Sequence, residues 1–209
     1  MNLVKPLNEM SLEELGRLFP IILSEYNPDW PAIYSTEKEL IEHAVGRHHI
    51  KRISHYGSTS IPGIIAKPTI DILLEVSDNC DNEELIRNLV DIGYLYDPQP
   101  RDPPPHMMFM KGYTPEGFVG QTYHIHVRYG GDWDELYFRD YLILHPDAAE
   151  EYSKLKRRLK EEYPFDREAY TQGKTAFIRS VVKEARNEPG RIECLEFALY
   201  AAGKMMGFN

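Results

Sequence analysis

Tyr56, Gly57, Ser58, Thr59 and Ser60 set one glycine and three hydroxyl side chains in succession. Glycine admits backbone conformations closed to other residues and lets a ligand approach the main chain. N–H groups and hydroxyls exposed by such a turn can hold phosphate oxygens, above all where a helix begins just behind it. Alone, a Gly-Ser turn is more often structural than functional. The downstream residues add weight. Twelve residues separate Ser58 from Asp71, enough for a loop before a neighbouring strand. On that strand Asp71, Leu73 and Glu75 share one face. Asp71 and Glu75 stand about 13 Å apart at a rise of about 3.3 Å per residue, too far for one ion unless the strand bends. An ionised carboxylate in an apolar strand needs a cationic partner. For Asp71 that partner is a hydrated Mg²⁺ shared with substrate phosphates, or else Lys67 or an arginine in a buried ion pair.

A second constellation runs through Tyr123, His124, Ile125, His126, Val127 and Arg128. Alternation puts His124, His126 and Arg128 on one face and apolar groups on the other. The histidines suit metal binding, base catalysis or donation to phosphate, although the same spacing occurs in plain solvent-facing strands. Without a supporting acid or cysteine nearby, a dedicated zinc site is not expected. His48 and His49 have no ligand spacing and read as surface. Arg139 and Asp140 face either the cleft or each other. Lys174, after Tyr170-Thr171-Gln172-Gly173, stands where a helix N-terminus could bring it to a phosphate.

These residues need elements to hold them. Ser11 and Glu14 form a capping box for a first helix that Pro20 kinks or ends. A second helix is predicted over 32–46. Strands are predicted over 50–56 and 69–76, with a Gly/Ser/Pro-rich loop over 57–68 between them. A helix over 81–92 stops at Gly93, and 94–105 reads as a Pro-rich surface loop. Strands over 107–111 and 121–128 flank a turn. Asp132 is expected to cap the next helix, and Pro146 to open another with Tyr152, Leu155 and Leu159 inward. Lys154, Lys156, Arg157, Arg158 and Lys160 then read as a solvated face. Pro164 ends that helix, and a last core helix spans 174–185.

The chain has 209 residues, 24 basic against 33 acidic, a net charge of −9 and a pI near 5.4. A long nucleic acid therefore meets no global attraction. Two distant cysteines, Cys80 and Cys194, make neither a disulfide framework nor a zinc site. Residues 1–19 do not read as a signal peptide, and no apolar run approaches the roughly 18 residues that span a bilayer. A cytoplasmic protein that does not enter membranes is expected.

The run His55-Tyr56-Gly57-Ser58-Thr59-Ser60-Ile61-Pro62-Gly63, then Ala66-Lys67-Pro68-Thr69-Ile70-Asp71-Ile72-Leu73-Leu74-Glu75-Val76, resembles the signature of the GrpB family. So do His124-Ile125-His126-Val127, Phe138-Arg139-Asp140-Tyr141-Leu142 and Tyr170-Thr171 with Lys174. The family resembles the nucleotidyltransferase superfamily, which implies an α/β (α+β) fold: a small mixed sheet flanked by helices. The expected organisation is a helical extension over 1–27, the domain over 28–186, and a helical tail over 187–209 that serves as a homodimer contact. Carried over by resemblance, Gly57, Ser58 and Thr59 match the triphosphate-holding turn, and Asp71 the first metal ligand. The second acid of the pattern falls on Leu73, and His124 or His126 stands in for the third. The implied activity is Mg²⁺-dependent transfer of a nucleotidyl group from an NTP to a small substrate. Lys67, Lys174 and Arg128 would balance phosphate charge, and Asp71 with Glu75 would hold metal. The alternative is a non-catalytic nucleotide- or phosphate-binding module whose metal site has degenerated.

Overall fold

The computed structural model describes residues 5–99 and 105–188. The tail over 187–209, with its expected dimer contact, lies outside the described residues from position 189, as do residues 100–104 of the Pro-rich stretch.

Five strands form one sheet in the order β1-β2-β5-β4-β3: β1 (Ile50–Tyr56), β2 (Thr69–Val76), β3 (Leu95–Asp97), β4 (Met107–Thr114) and β5 (Gly117–Tyr129). β2 and β5 are parallel and the other neighbours antiparallel. This is the small mixed sheet that the family resemblance implies. β2 is almost wholly buried, which explains its near-continuous apolar run. The short edge strand β3 falls inside the stretch read as loop. β4 and β5 reach past their expected ends to close on a tight turn.

The helices are α1 (Leu12–Leu18), α2 (Trp30–Val45), α3 (Asn82–Asp91), α4 (Asp134–Leu144), α5 (Pro146–Glu162), α6 (Arg167–Gln172) and α7 (Thr175–Asn187). The capping box on α1 is present, and that helix ends before Pro20. Asp132 does not cap α4. Its carboxylate accepts from Arg186 at 2.9 Å, a charge-assisted bond that outcompetes a cap, and Trp133 occupies the N-cap position without a side-chain bond.

The main core lies between one face of the sheet (Ile70, Ile72, Leu74, Ile125, Val127) and α2 and α3, through Trp30, Ile41, Leu85 and Leu89. A second cluster joins Ile61 and Ile64 of the 57–68 loop to Phe138, Leu142, Tyr152, Val181 and Val182 of the later helices. Those helices therefore pack on the loop, and on the opposite face of β2 and β5 Asp71 and His126 stay partly exposed, the region termed the cleft. The segment after α1 joins the domain: the Ile21 N–H donates to the Pro164 carbonyl at 2.9 Å, and Ser24 pairs with Ala66. No helix among the described residues is long and apolar enough to cross a membrane.

Candidate active site

Gly57 leaves β1 with φ 72° and ψ −173°, a region open essentially to glycine. Its missing side chain has a second consequence: a Cβ there would lie 2.3 Å from Asp71 Oδ2. The turn thus sits directly on the carboxylate. Ser58–Ser60 form one 3-10 turn, closed by Ser60 Oγ donating to the Gly57 carbonyl at 2.6 Å. Thr59 is buried; its hydroxyl donates to the Thr69 carbonyl at 3.1 Å and lies 3.0 Å from His55 Nε2. It pins the turn to the start of β2 and does not face the cleft. Ser58 is the hydroxyl that does, 3.3 Å from Lys156 Nζ.

The floor is a ladder of side-chain pairs on the two parallel strands: Thr69 beside Thr122, Asp71 beside His124, Leu73 beside His126, Glu75 beside Arg128. Asp71 Oδ1 is 3.2 Å from His124 Nδ1, and His124 Nε2 is 2.7 Å from the Tyr113 hydroxyl. A carboxylate only accepts, so Nδ1 carries the proton; in the neutral ring Nε2 then accepts from the phenol. The result is a chain Asp71–His124–Tyr113. Burial alone would raise the Asp71 carboxyl, but the His124 hydrogen bond and the charges of His124, His126 and Lys67 bring it below its usual value. Burial pushes His126 down to about 4, against the pull of Asp71. At neutral pH it is an uncharged imidazole, edge-on to Tyr56.

Above this floor gather cations. Lys67 and Lys174 lie over the same Tyr170 ring, 5.7 and 4.8 Å from its centre. Lys156 reaches in from α5, where its ammonium donates to the Ile65 carbonyl and meets Ser58. Arg167, at the start of α6, bonds the Phe19 carbonyl at 3.2 Å and approaches the Tyr113 hydroxyl at 3.5 Å. Burial, then the charges of Lys174 and Arg167, push Lys67 down to about 7, with Asp71 opposing. Burial, Lys174 and Arg157 push Lys156 to about 7 as well. Lys174 is lowered by burial and by Arg167, again against Asp71. Among the described residues no carboxylate comes within salt-bridge distance of Lys67, Lys156, Lys174 or Arg167. Asp71 opposes the lowering of Lys67 and Lys174 only.

The structure therefore brings together Gly57, Ser58, Lys67, Asp71, His124, His126 and Lys174. Arg128 lies farther along the floor, stacked on Trp133 and donating to the Val127 carbonyl at 2.7 Å. Arg139 and Asp140 hold each other at 2.5 Å. Glu75 is not gathered with Asp71. It is 1% exposed, pairs with Arg52 across the sheet, and accepts from the Gly131 N–H at 3.0 Å. Both oxygens are thus engaged in holding β1 and the β5–α4 connection. Glu75→Ala should cost about 2 kcal/mol in thermal or urea unfolding, discounted for the half-exposed Arg52, and leave anion affinity in the cleft unchanged.

Lys156 is the exception to the reading of 154–160 as a solvated face. It is 2% exposed. It stands four residues after Tyr152 and three before Leu159, on the inward stripe of α5. That spacing was the available signal. Tyr113 and Arg167 carried none: one ends an ordinary strand, the other starts a short helix unmarked in the sequence.

The donor set fits a protein-built Mg²⁺ site poorly. A hard ion wants several oxygens in octahedral array. Here Leu73 fills the second acid position, Glu75 is committed elsewhere, and Asp71 is tied to His124. No group of three His, Cys, Asp or Glu residues with metal-holding geometry occurs among the described residues.

The chain is similar to a UPF0157 protein of Pseudomonas aeruginosa, 40% identical over 76% of this chain and 65% of that protein, so it spans slightly under two thirds of that relative. It is 35% identical to the glutamate-rich protein GrpB of Alkalihalophilus pseudofirmus, over 78% of this chain and 95% of that one. The crystal structure of the conserved protein GrpB from Enterococcus faecalis superimposes with a TM-score of 0.67 at 30% identity, covering 78% of this chain and 96% of the other. The family model described as GrpB protein matches residues 20–184, a span that holds every residue of the cleft, and the chain belongs to the GrpB family.

Proposed function

We propose that the cleft binds the phosphates of a nucleoside triphosphate over the Gly57–Ser58 turn and transfers a nucleotidyl group to a small acceptor. The observation that carries this reading is the gathering of Lys67 and Lys174 near Asp71, Lys156 at Ser58 and Arg167 at Tyr113, without salt-bridged carboxylates of their own. A triphosphate supplies the missing negative charge. In the reaction the α–β phosphoanhydride bond breaks, the acceptor oxygen bonds to the α-phosphorus, and pyrophosphate leaves. The acceptor's proton passes through the Tyr113 hydroxyl to His124 Nε2, while Asp71 stabilises the imidazolium. Any Mg²⁺ would be held by the triphosphate and would neutralise its charge; no step depends on a protein-built metal site. A cytoplasmic setting, where nucleotides are abundant, suits this activity.

Titrating ATP, GTP, CTP and UTP calorimetrically, with and without Mg²⁺, tests the proposal together with a pyrophosphate-release assay. Micromolar binding that survives chelation is expected. No binding of any nucleotide, with Asp71→Ala behaving as wild type, sinks it. Leu73 and the committed Glu75 favour a second reading, a binding module without transfer, which predicts the same binding and no pyrophosphate.

The lysines also set a pH dependence. Lys67 and Lys156 have folded values about 7 against an ordinary 10.5. Between those limits the unfolded chain binds more protons, so the ligand-free protein should gain stability as pH rises from 7 towards 10. Anion binding needs the charged lysines and runs the other way. At pH 8.5 calorimetry in buffers of different ionisation enthalpy should show proton uptake of about one to two per site, falling towards zero at pH 6. Uptake that does not change with pH would mean that the lysines are already charged.

A further inference from the structure

Beside the cleft, on the far side of Tyr113, runs an apolar groove of about 1180 Å³. Its walls include Leu12 and Leu15 of α1, Phe19, Met110 of β4 and Phe165. Leu12 is 79% and Phe165 50% exposed, so the apolar surface is presented and not used in the core. The volume is somewhat above the usual range for small-molecule sites, about 300–1,000 Å³. α1 is seated firmly: a Cβ on Gly16 would fall 1.9 Å from the Phe165 carbonyl oxygen. The wall is therefore built by close packing.

The groove is continuous with the cleft. Met110 is the cross-strand neighbour of His124, and Tyr113 and Arg167 line the groove while facing His124 and Lys67. Its acids are already engaged: Asp166 caps α6, Glu168 holds Gln172, Glu13 holds Arg17, and Asp97 accepts from Gln99. Arg167 is the exception. Its hydrogen bonds go to a carbonyl and a phenol, both neutral.

We infer that this groove is the acceptor subsite, and that it takes a small amphipathic molecule: an apolar body along Leu12, Leu15 and Met110, and one anionic group on Arg167. The inference rests on the transferase reading for its role, though not for its chemistry. An apolar trough that ends on an unneutralised guanidinium selects such a ligand in any case.

The probe is 1-anilinonaphthalene-8-sulfonate, an aromatic body with one sulfonate, titrated by fluorescence into the full chain. Binding at one site is expected, weakened at least about fivefold by Arg167→Gln and by Leu12→Glu. Leu12 is exposed, so its variant should fold as wild type, which a thermal melt checks. Dye affinities within twofold across all three proteins would overturn the subsite. Nucleotide titrations on the wild-type protein and on Leu12→Glu, which lies outside the proposed triphosphate set, separate the two proposals. Dye binding lost in the variants, with no nucleotide binding to the wild-type protein, leaves the groove standing and removes the transferase. Nucleotide binding with an indifferent dye does the reverse.

Discussion

Lys67→Met should leave the fold intact, raise the melting temperature at pH 6–7, and weaken triphosphate binding roughly 10- to 100-fold. The two effects have one cause. Lys67 is packed between the Tyr170 ring and the charges of Lys174 and Arg167, and burial with those charges pushes it down to about 7. Below pH 7 it is charged in both folded and unfolded chains, so the cost of keeping that charge in the fold is fully present. As pH climbs towards 10.5 the cost disappears, and with it the advantage of methionine. Methionine keeps the packed aliphatic stem and removes only the ammonium. Differential scanning calorimetry at pH 6 and pH 9, alongside nucleotide titration, reads both quantities. A melting temperature that falls together with affinity would make Lys67 a structural residue. Lys67→Met/Lys174→Met should lose more affinity than either single change and still fold.

Gly57→Ala should destabilise the protein by about 2–4 kcal/mol and abolish anion binding. A backbone at φ 72° and ψ −173° costs a residue with a side chain about 1–3 kcal/mol. The new methyl would also fall 2.3 Å from Asp71 Oδ2. Either the turn reverts to ordinary dihedrals, and the 3-10 turn at Ser58 loses its aim, or Asp71 rotates away and His124 loses its partner. Urea unfolding gives the first quantity. The long-range ¹H–¹⁵N spectrum of the histidine rings gives the second, through the loss of the His124 Nδ1 proton. A change below about 0.5 kcal/mol would show that the turn does not need glycine. Ser60→Ala, which removes only the 2.6 Å bond to the Gly57 carbonyl, should cost less than Gly57→Ala.

The features legible in the sequence are those set by neighbours along the chain. β1 and β2 begin and end where alternation and turn residues placed them, because both signals act within a few residues. The capping box on α1 is equally local: Ser11 and Glu14 satisfy each other's backbone. Alternation correctly put Asp71 and the histidines on chemically equivalent faces, and the parallel register of β2 and β5 then set Asp71 beside His124.

Roles that depend on distant partners were a different matter. Glu75 shares a face with Asp71, yet Arg52 on β1 and the Gly131 N–H claim it. Lys156 belongs to a run of five basic residues, of which Lys154, Arg157 and Arg158 are exposed and Lys160 partly so. Only the packing of α5 on the 57–65 loop turns the fifth into a buried ammonium at Ser58. Tyr113 and Arg167 enter the cleft because β4 pairs with β5 and α6 crosses beside them. The sequence by itself determined the sheet-and-helix frame, the glycine turn and the carboxylate beneath it, since short-range sterics and periodicity decide those. The tertiary structure alone decided which charges find partners. Desolvation and pairing depend on neighbours brought together from distant positions, such as Ser58 and Lys156, 98 residues apart.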